Sequence, residues 1–208
     1  MSTPRFIYPS TVAILWVLAL WSSWTCRGLF VDGAALLINL VEQWHVIFFR
    51  ESRLYAVIGG QSLALAGIHA GITDLHRLAQ LLSLALFALP TGFYHLALWR
   101  ARRDPALLAA TIGIISVVFM TTSFFIVGEY NTAFAVTTAS AVWLATTDRL
   151  RAGEGAVLAI IALFFSRTYE VTLYHGPLLS LMTLWRVANV PERPRLATIL
   201  YLIGAAFF

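Results

Sequence analysis

Lysine is absent from the 208 residues, cysteine occurs once, and only 12% of the chain is charged. Each shortage excludes something. Soluble chains carry roughly 25% charged residues. A chain that is 12% charged and 60% hydrophobic, with a mean hydropathy of +0.80, is not composed like a soluble domain. The lone Cys26 excludes an intrachain disulfide and a cysteine-based metal site. With no lysine, the formal charge of +4 rests on arginine alone. Those arginines punctuate hydrophobic runs instead of gathering on one water-facing stretch, which argues against nucleic acid as a partner. The N-terminal apolar run also lacks something. Its exit, Ser22-Ser23-Trp24-Thr25-Cys26, has no small-x-small cleavage pattern. Residues 6–25 therefore read as a retained membrane helix, with Trp21 and Trp24 in the interfacial aromatic belt. No internal repeat is recognisable, which weighs against a transporter built from matched halves.

What is present is a series of apolar runs, at 6–25, 75–98, 105–127, 132–146, 155–165, 171–185 and 196–208. They predict an all-α fold, a polytopic helical membrane bundle of roughly seven spans forming a single membrane domain over 1–208. Arginine-rich turns at 100–103, 149–151 and 186–195 are each separated by an even number of spans. The positive-inside rule puts all three, and the N-terminus, in the cytoplasm of an inner-membrane protein. The loop 27–77, the turn at Glu129 and the turn 167–170 then share the opposite face. The last run falls well short of the roughly twenty residues a span needs, and suggests the front part of a longer protein.

The loop 27–77 is the polar exception to the pattern. It opens on Asp32, in Phe30-Val31-Asp32-Gly33. Residues 33–49 then show helical periodicity, with Leu37, Leu40, Val41, Trp44 and Phe48 on one face and Asn39, Glu42, Gln43 and His45 towards the other. That pattern predicts an amphipathic helix in the interface, its apolar side in lipid. The knot Arg50-Glu51-Ser52-Arg53 closes it. Residues 54–72 are apolar, but Gly59, Gly60, Gly67 and Gly71 disfavour a lone lipid-exposed span. A second, half-inserted helix is expected there. Asp74 is positioned to cap the next helix, in which Pro90 is a candidate kink.

Ionisable groups bordering hydrocarbon are costly, so they are usually paired or functional. Three places on the outer face hold them: Asp32 with Glu42 and His45, Glu129, and Arg167 with Glu170 and His175. Carboxylates suit acid/base work on a substrate hydroxyl, and arginine holds phosphate oxygens in a bidentate fork. Each also has a plainer explanation. Asp32 suits an N-cap, Glu42 and His45 suit a solvated helix face, and Arg167 with Glu170 suits a local ion pair at i,i+3. The pair Glu42-x-x-His45 is half of a di-metal signature whose other half is missing, so no metal ligand set is assigned.

The order of these features resembles the GT-C superfamily of integral-membrane glycosyltransferases. One span is followed by a long outer loop that opens on an acidic residue and carries amphipathic helices. The run Gly71-Ile72-Thr73-Asp74-Leu75-His76-Arg77-Leu78 then enters a span ending in Trp99-Arg100-Ala101-Arg102-Arg103. The resemblance covers most of the chain, as the front module of such enzymes. It implies a polyprenyl-phosphate-linked sugar as donor, membrane lipid as partner and a catalytic acidic residue at Asp32. It leaves divalent metal open as a cofactor. Under it, Asp32 is the base, Glu129 or Glu170 positions the sugar, and Arg167 holds the lipid phosphate, with His175 and Glu42 alongside. The competing functions are a transporter or flippase of a lipid-linked intermediate, and a non-catalytic assembly subunit.

Overall fold

The computed structural model describes residues 6–30, 32–48, 50–124, 129–190 and 194–208, with residues 51 and 120–124 by backbone alone. Among them are nine α-helices, two 3-10 turns and no strand. The helices are α1 (Ile7–Trp24), α2 (Asp32–Gln43), α3 (Leu54–His69), α4 (Leu75–Ala101), α5 (Pro105–Phe124), α6 (Glu129–Ala145), α7 (Ala152–Ser166), α8 (Thr172–Asn189) and α9 (Arg195–Phe207). The all-α expectation holds. Among the described residues α1 and α4 are long and apolar enough to cross a membrane. Helices α3, α7 and α9 and the stretch Pro105–Phe119 of α5 are shorter apolar segments, so the count of seven is not reached on this criterion among the described residues.

The long helix α4 is the axis. Asp74 caps it as expected, accepting from the His76 amide at 2.9 Å. Helix α1 runs antiparallel along it: Tyr8 pairs with His95 at 3.1 Å near one end. Near the other, the Ser23 hydroxyl donates to the Gln80 carbonyl at 2.8 Å. The two run side by side, yet α1 buries only Leu15 and Ala19. Ile14, Val17, Trp21 and Trp24 point outward.

Helix α3 lies antiparallel on the N-terminal half of α4, and its glycines explain how. A Cβ on Gly59, Gly60 or Gly67 would stand 2.6, 2.9 or 2.7 Å from Leu89, Leu86 or Leu81 respectively. Their bare surface lets the backbones approach closely. Helix α6 runs the same way as α4, joined to it from the Tyr94–Asn131 hydrogen bond at 3.3 Å to the Arg100–Thr146 bond at 2.9 Å. Helices α7 and α9 pack closely, with Tyr201 against Gly155 and Leu158 against Gly204. Helix α8 joins them through the Ser180 hydroxyl, which donates to the Ala205 carbonyl at 2.8 Å.

Helix α2 departs from expectation in length and in what it covers. It stops at Gln43, and Trp44 turns left-handed with φ at 59°. Side-chain competition accounts for the early end. The Gln61 carboxamide takes both backbone groups of Ile47, accepting from its amide at 2.8 Å and donating to its carbonyl at 2.9 Å. Ile47 therefore has no need of a helical partner. Leu37 and Leu40, expected in lipid, are instead buried against Ala64, Ile68, Leu78 and Leu82. Phe49, residues 125–128 of the expected Glu129 turn, and residues 191–193 of the Pro/Arg turn lie outside the described residues.

At the start of α2, a Cβ on Gly33 would fall 1.7 Å from the Gly28 carbonyl oxygen, whereas one on Gly113 meets nothing within 4 Å. Gly33→Ala should therefore force a backbone shift costing about 1–3 kcal/mol. Gly113→Ala should be neutral or stabilising by up to about 1 kcal/mol. Melting midpoints of the two purified variants check the contrast.

Candidate functional site

Two charged clusters mark the two ends of the short helices. At one end the 3-10 turn Glu51–Arg53 delivers Arg53 between the first turn of α6 and the connection from α7 to α8. The Arg53 guanidinium donates from Nε to both carboxylate oxygens of Glu170 at 3.0 Å. Its other nitrogens reach Glu170 at 3.0 Å and Glu129 at 3.5 Å. Its planar face lies over the Tyr169 ring, 4.5 Å from the centroid. Arg50 adds a contact to Glu170 at 3.4 Å, and the Ser52 hydroxyl donates to it at 3.1 Å. Below this cluster the Tyr55 amide donates to the Arg167 carbonyl at 3.1 Å, while Tyr55 stacks on Phe164.

Glu170 is thus heavily committed. Partial burial alone would raise its pKa, but the bonds from Arg53 and Ser52, its own backbone and the arginine charge outweigh that. The result is a value lowered to about 2. For Arg53 burial acts downward, and the Glu170 bond and the two carboxylates overcome it, so its pKa is raised. Both groups stay ionised at neutral pH. Glu170 is consequently a poor proton acceptor, and its role here is to hold an arginine.

The structure brings two of the expected site residues together, Glu129 and Glu170, and does so through an arginine that sequence reasoning passed over. Residues 50–53 read as a knot closing a helix. The signal was present all the same: outer carboxylates at 129 and 170 need a counter-charge, and the outer loop holds two arginines there. The local Arg167–Glu170 pair does not form. Glu170 turns to Arg53, and the Arg167 side chain is exposed. His175 is half-buried against α6, 3.3 Å from the Thr137 hydroxyl and beside the Phe134 ring. Glu42 and Asp32 are exposed, and neither takes part in an ion pair among the described residues.

Asp32 is the first residue of α2. Leu36, one helical turn further along α2, lines a small cavity together with Glu129, Gln61, Leu86 and Leu89. That space is about 20 Å³, room for one water molecule and no more. A wider, apolar groove of about 680 Å³ runs between α3 and α4, bordered by Gly59, Leu63, Leu89, Gly92 and Phe93. Among the described residues no group of three or more His, Cys, Asp or Glu side chains could hold a metal ion.

At the opposite end Arg100 plays a similar part. It bonds the Thr146 hydroxyl and carbonyl at 2.9 and 3.1 Å and Glu154 at 3.1 Å. It also covers the Trp143 ring, 4.4 Å from the centroid. Arg186 donates to the Ala145 carbonyl at 2.8 Å. These arginines cap the C-terminus of α6, where unpaired carbonyls and the helix dipole favour cations. The arginine-rich turns near 100, 150 and 186 therefore meet at one end, and Arg53, Glu129 and Glu170 at the other.

Fold and site together define a protein that, among the described residues, is all-helical with two candidate membrane helices and an arginine–dicarboxylate cluster that ties its first loop to the bundle. No protein-family model, characterised protein or solved structure matches the chain.

The depressed pKa gives the cluster a pH signature. Glu170 contributes stability in full above its unfolded value of roughly 4.3, and loses it as the pH falls towards about 2. The difference in melting midpoint between the native chain and Glu170→Gln should be constant above pH 5. It should shrink steadily between pH 4.5 and 2. An unchanging difference across that window would mean the pair is not formed.

Proposed function

We propose that the chain is a polytopic membrane protein of about seven spans that transfers a sugar from a polyprenyl-phosphate donor on the face carrying Arg53, Glu129 and Glu170. The observation that carries the membrane part is the outer surface of the helices. Leu173, Tyr174, Leu178 and Leu181 on α8 are at least 62% exposed, and Ile160, Leu196 and Ile199 on α7 and α9 are at least 53% exposed. Soluble monomers rarely show contiguous apolar patches of this extent. Helices of 13 to 18 residues from α6 to α9 are roughly 20–27 Å long. They suit a bilayer that thins locally around them. The meeting of arginine-rich turns at one end favours that end as cytoplasmic, in a bacterial inner membrane with the N-terminus inside.

The transferase part rests on the resemblance to GT-C enzymes and on the convergence at the other end. Asp32, exposed and without an ion-pair partner among the described residues, is available as the base that takes the acceptor's hydroxyl proton. Arg167, exposed and outside any ion pair among the described residues, is available to a lipid phosphate. The apolar groove beside α3 has the size and lining for an isoprenoid chain. Glu129 and Glu170 hold the arginine framework around them.

A second reading, a non-catalytic membrane subunit, is favoured by one observation. Both carboxylates already satisfy Arg53, and the space beside Glu129 is far too small for a sugar. Purified protein supplied with radiolabelled polyprenyl-phosphate sugar and acceptor separates the two. Transfer that falls at least about 100-fold in Asp32→Asn supports the enzyme. Full activity in that variant removes Asp32 as base, and no transfer by the native chain leaves the subunit reading. Movement of the labelled lipid across liposomes without transfer identifies a flippase.

A further inference from the structure

The cavity at the arginine-rich end belongs to neither function above. It holds about 490 Å³ between the start of α5, the start of α7 and the C-terminal ends of α4 and α6, and its lining includes Arg102, Arg103, Asp148, Arg151 and Trp99. We infer that this cavity binds a phosphate-bearing anion, with the phosphoryl oxygens seated between Arg103 and Arg151.

The argument is an account of which charges are already occupied. Arg100 is satisfied by Glu154 and Thr146. Asp104 accepts from the amides of Ala106 and Leu107 at 3.0 and 3.1 Å, capping α5. Arg102 donates to the Trp99 carbonyl and lies over the Trp99 ring. Arg103 and Arg151 remain. Both line the cavity, both are exposed, and among the described residues neither makes a side-chain hydrogen bond or ion pair. The one carboxylate not engaged elsewhere is Asp148. Arg151, the residue before α7, gives that helix no side-chain cap. The first turn of α7 also borders the space, and its carboxylate, Glu154, is taken by Arg100. Guanidinium groups bind phosphate with parallel hydrogen bonds, and the volume accommodates a headgroup or a diphosphate.

The same chemistry has two sources, an anionic phospholipid headgroup or a soluble phosphate compound. Trp99, 40% exposed at the rim, is the residue type that settles at headgroup depth, and basic pockets between membrane helices take anionic headgroups. The lipid source rests on the membrane assignment. The phosphate site itself does not, and it is independent of sugar transfer.

Purified full-length chain in neutral detergent is titrated with short-chain phosphatidylglycerol, with phosphatidylcholine, and separately with inorganic pyrophosphate, and occupancy is read by native mass spectrometry. Preferential retention of phosphatidylglycerol, reduced roughly 25-fold in the double variant Arg103→Gln/Arg151→Gln at about fivefold per arginine, supports the lipid source. Pyrophosphate binding reduced by the same variant supports the soluble source. Asp148→Asn, which removes the opposing charge, must tighten whichever ligand binds. Arg77→Gln, whose partner Asp74 lies at the far end of α4, must leave binding unchanged. Equal retention of both lipids with no pyrophosphate bound overturns the site. So does binding that the double variant leaves intact, or an Asp148→Asn variant that binds no more tightly.

Discussion

The guanidinium of Arg53 joins parts of the chain that lie far apart in sequence. Its nitrogens hold a residue 117 positions away and the first turn of α6, while its face covers an aromatic ring from the α7–α8 connection. Charged groups beside so much apolar surface are tolerated only when each finds a partner. Arg53 therefore depends on the two carboxylates, and Glu170 draws further support from Arg50 and Ser52. The segment that carries Arg53 also carries α3, whose glycines set its distance from α4. The first loop is thus held twice, by the packing of α3 on α4 and by one side chain with its two acceptors.

The layout around α4 gives that junction its setting. Leu86 and Leu89, which share a cavity with Glu129, are near the middle of a 27-residue helix roughly 40 Å long. On one side of that level α4 is flanked by α2, α3 and the end of α1. On the other it is flanked by α6 and the start of α1. Glu129 therefore borders a small space walled by Leu36, Leu86 and Leu89, and half-buried Glu170 shares its Arg53 partner. A carboxylate in such a place is held by its counter-charge, and the lowered pKa of Glu170 reflects that.

Much of the framework was legible in the sequence because it depends on local rules. Long apolar runs between arginine knots became helices, Asp74 capped α4, and the arginine turns gathered at one end. Contacts made over long separations were not legible. Periodicity over residues 33–49 suggested one continuous helix, but Gln61 offers Ile47 the two hydrogen bonds a helix would have supplied, and nothing near Ile47 announces it. The proximity of Arg167 and Glu170 along the chain suggested a local pair. Glu170 is instead taken by arginines 117 and 120 positions earlier. Asp32, Glu42 and Arg167 are exposed, and sequence spacing says nothing about whether exposed side chains share a pocket.

The separation between Arg53 and its acceptors has a consequence for biosynthesis. While the chain emerges from the ribosome, Arg53 is made long before Glu129 and longer still before Glu170. Throughout that interval α2 and α3 already have α4 to pack on, with Leu78 and Leu82 as their partners, while the turn that carries Arg53 keeps an unneutralised cation. Pairing of that cation is therefore a late event in assembly. A nascent chain arrested ahead of residue 170 would present the quality-control machinery with a bare guanidinium beside apolar surface in place of a finished junction.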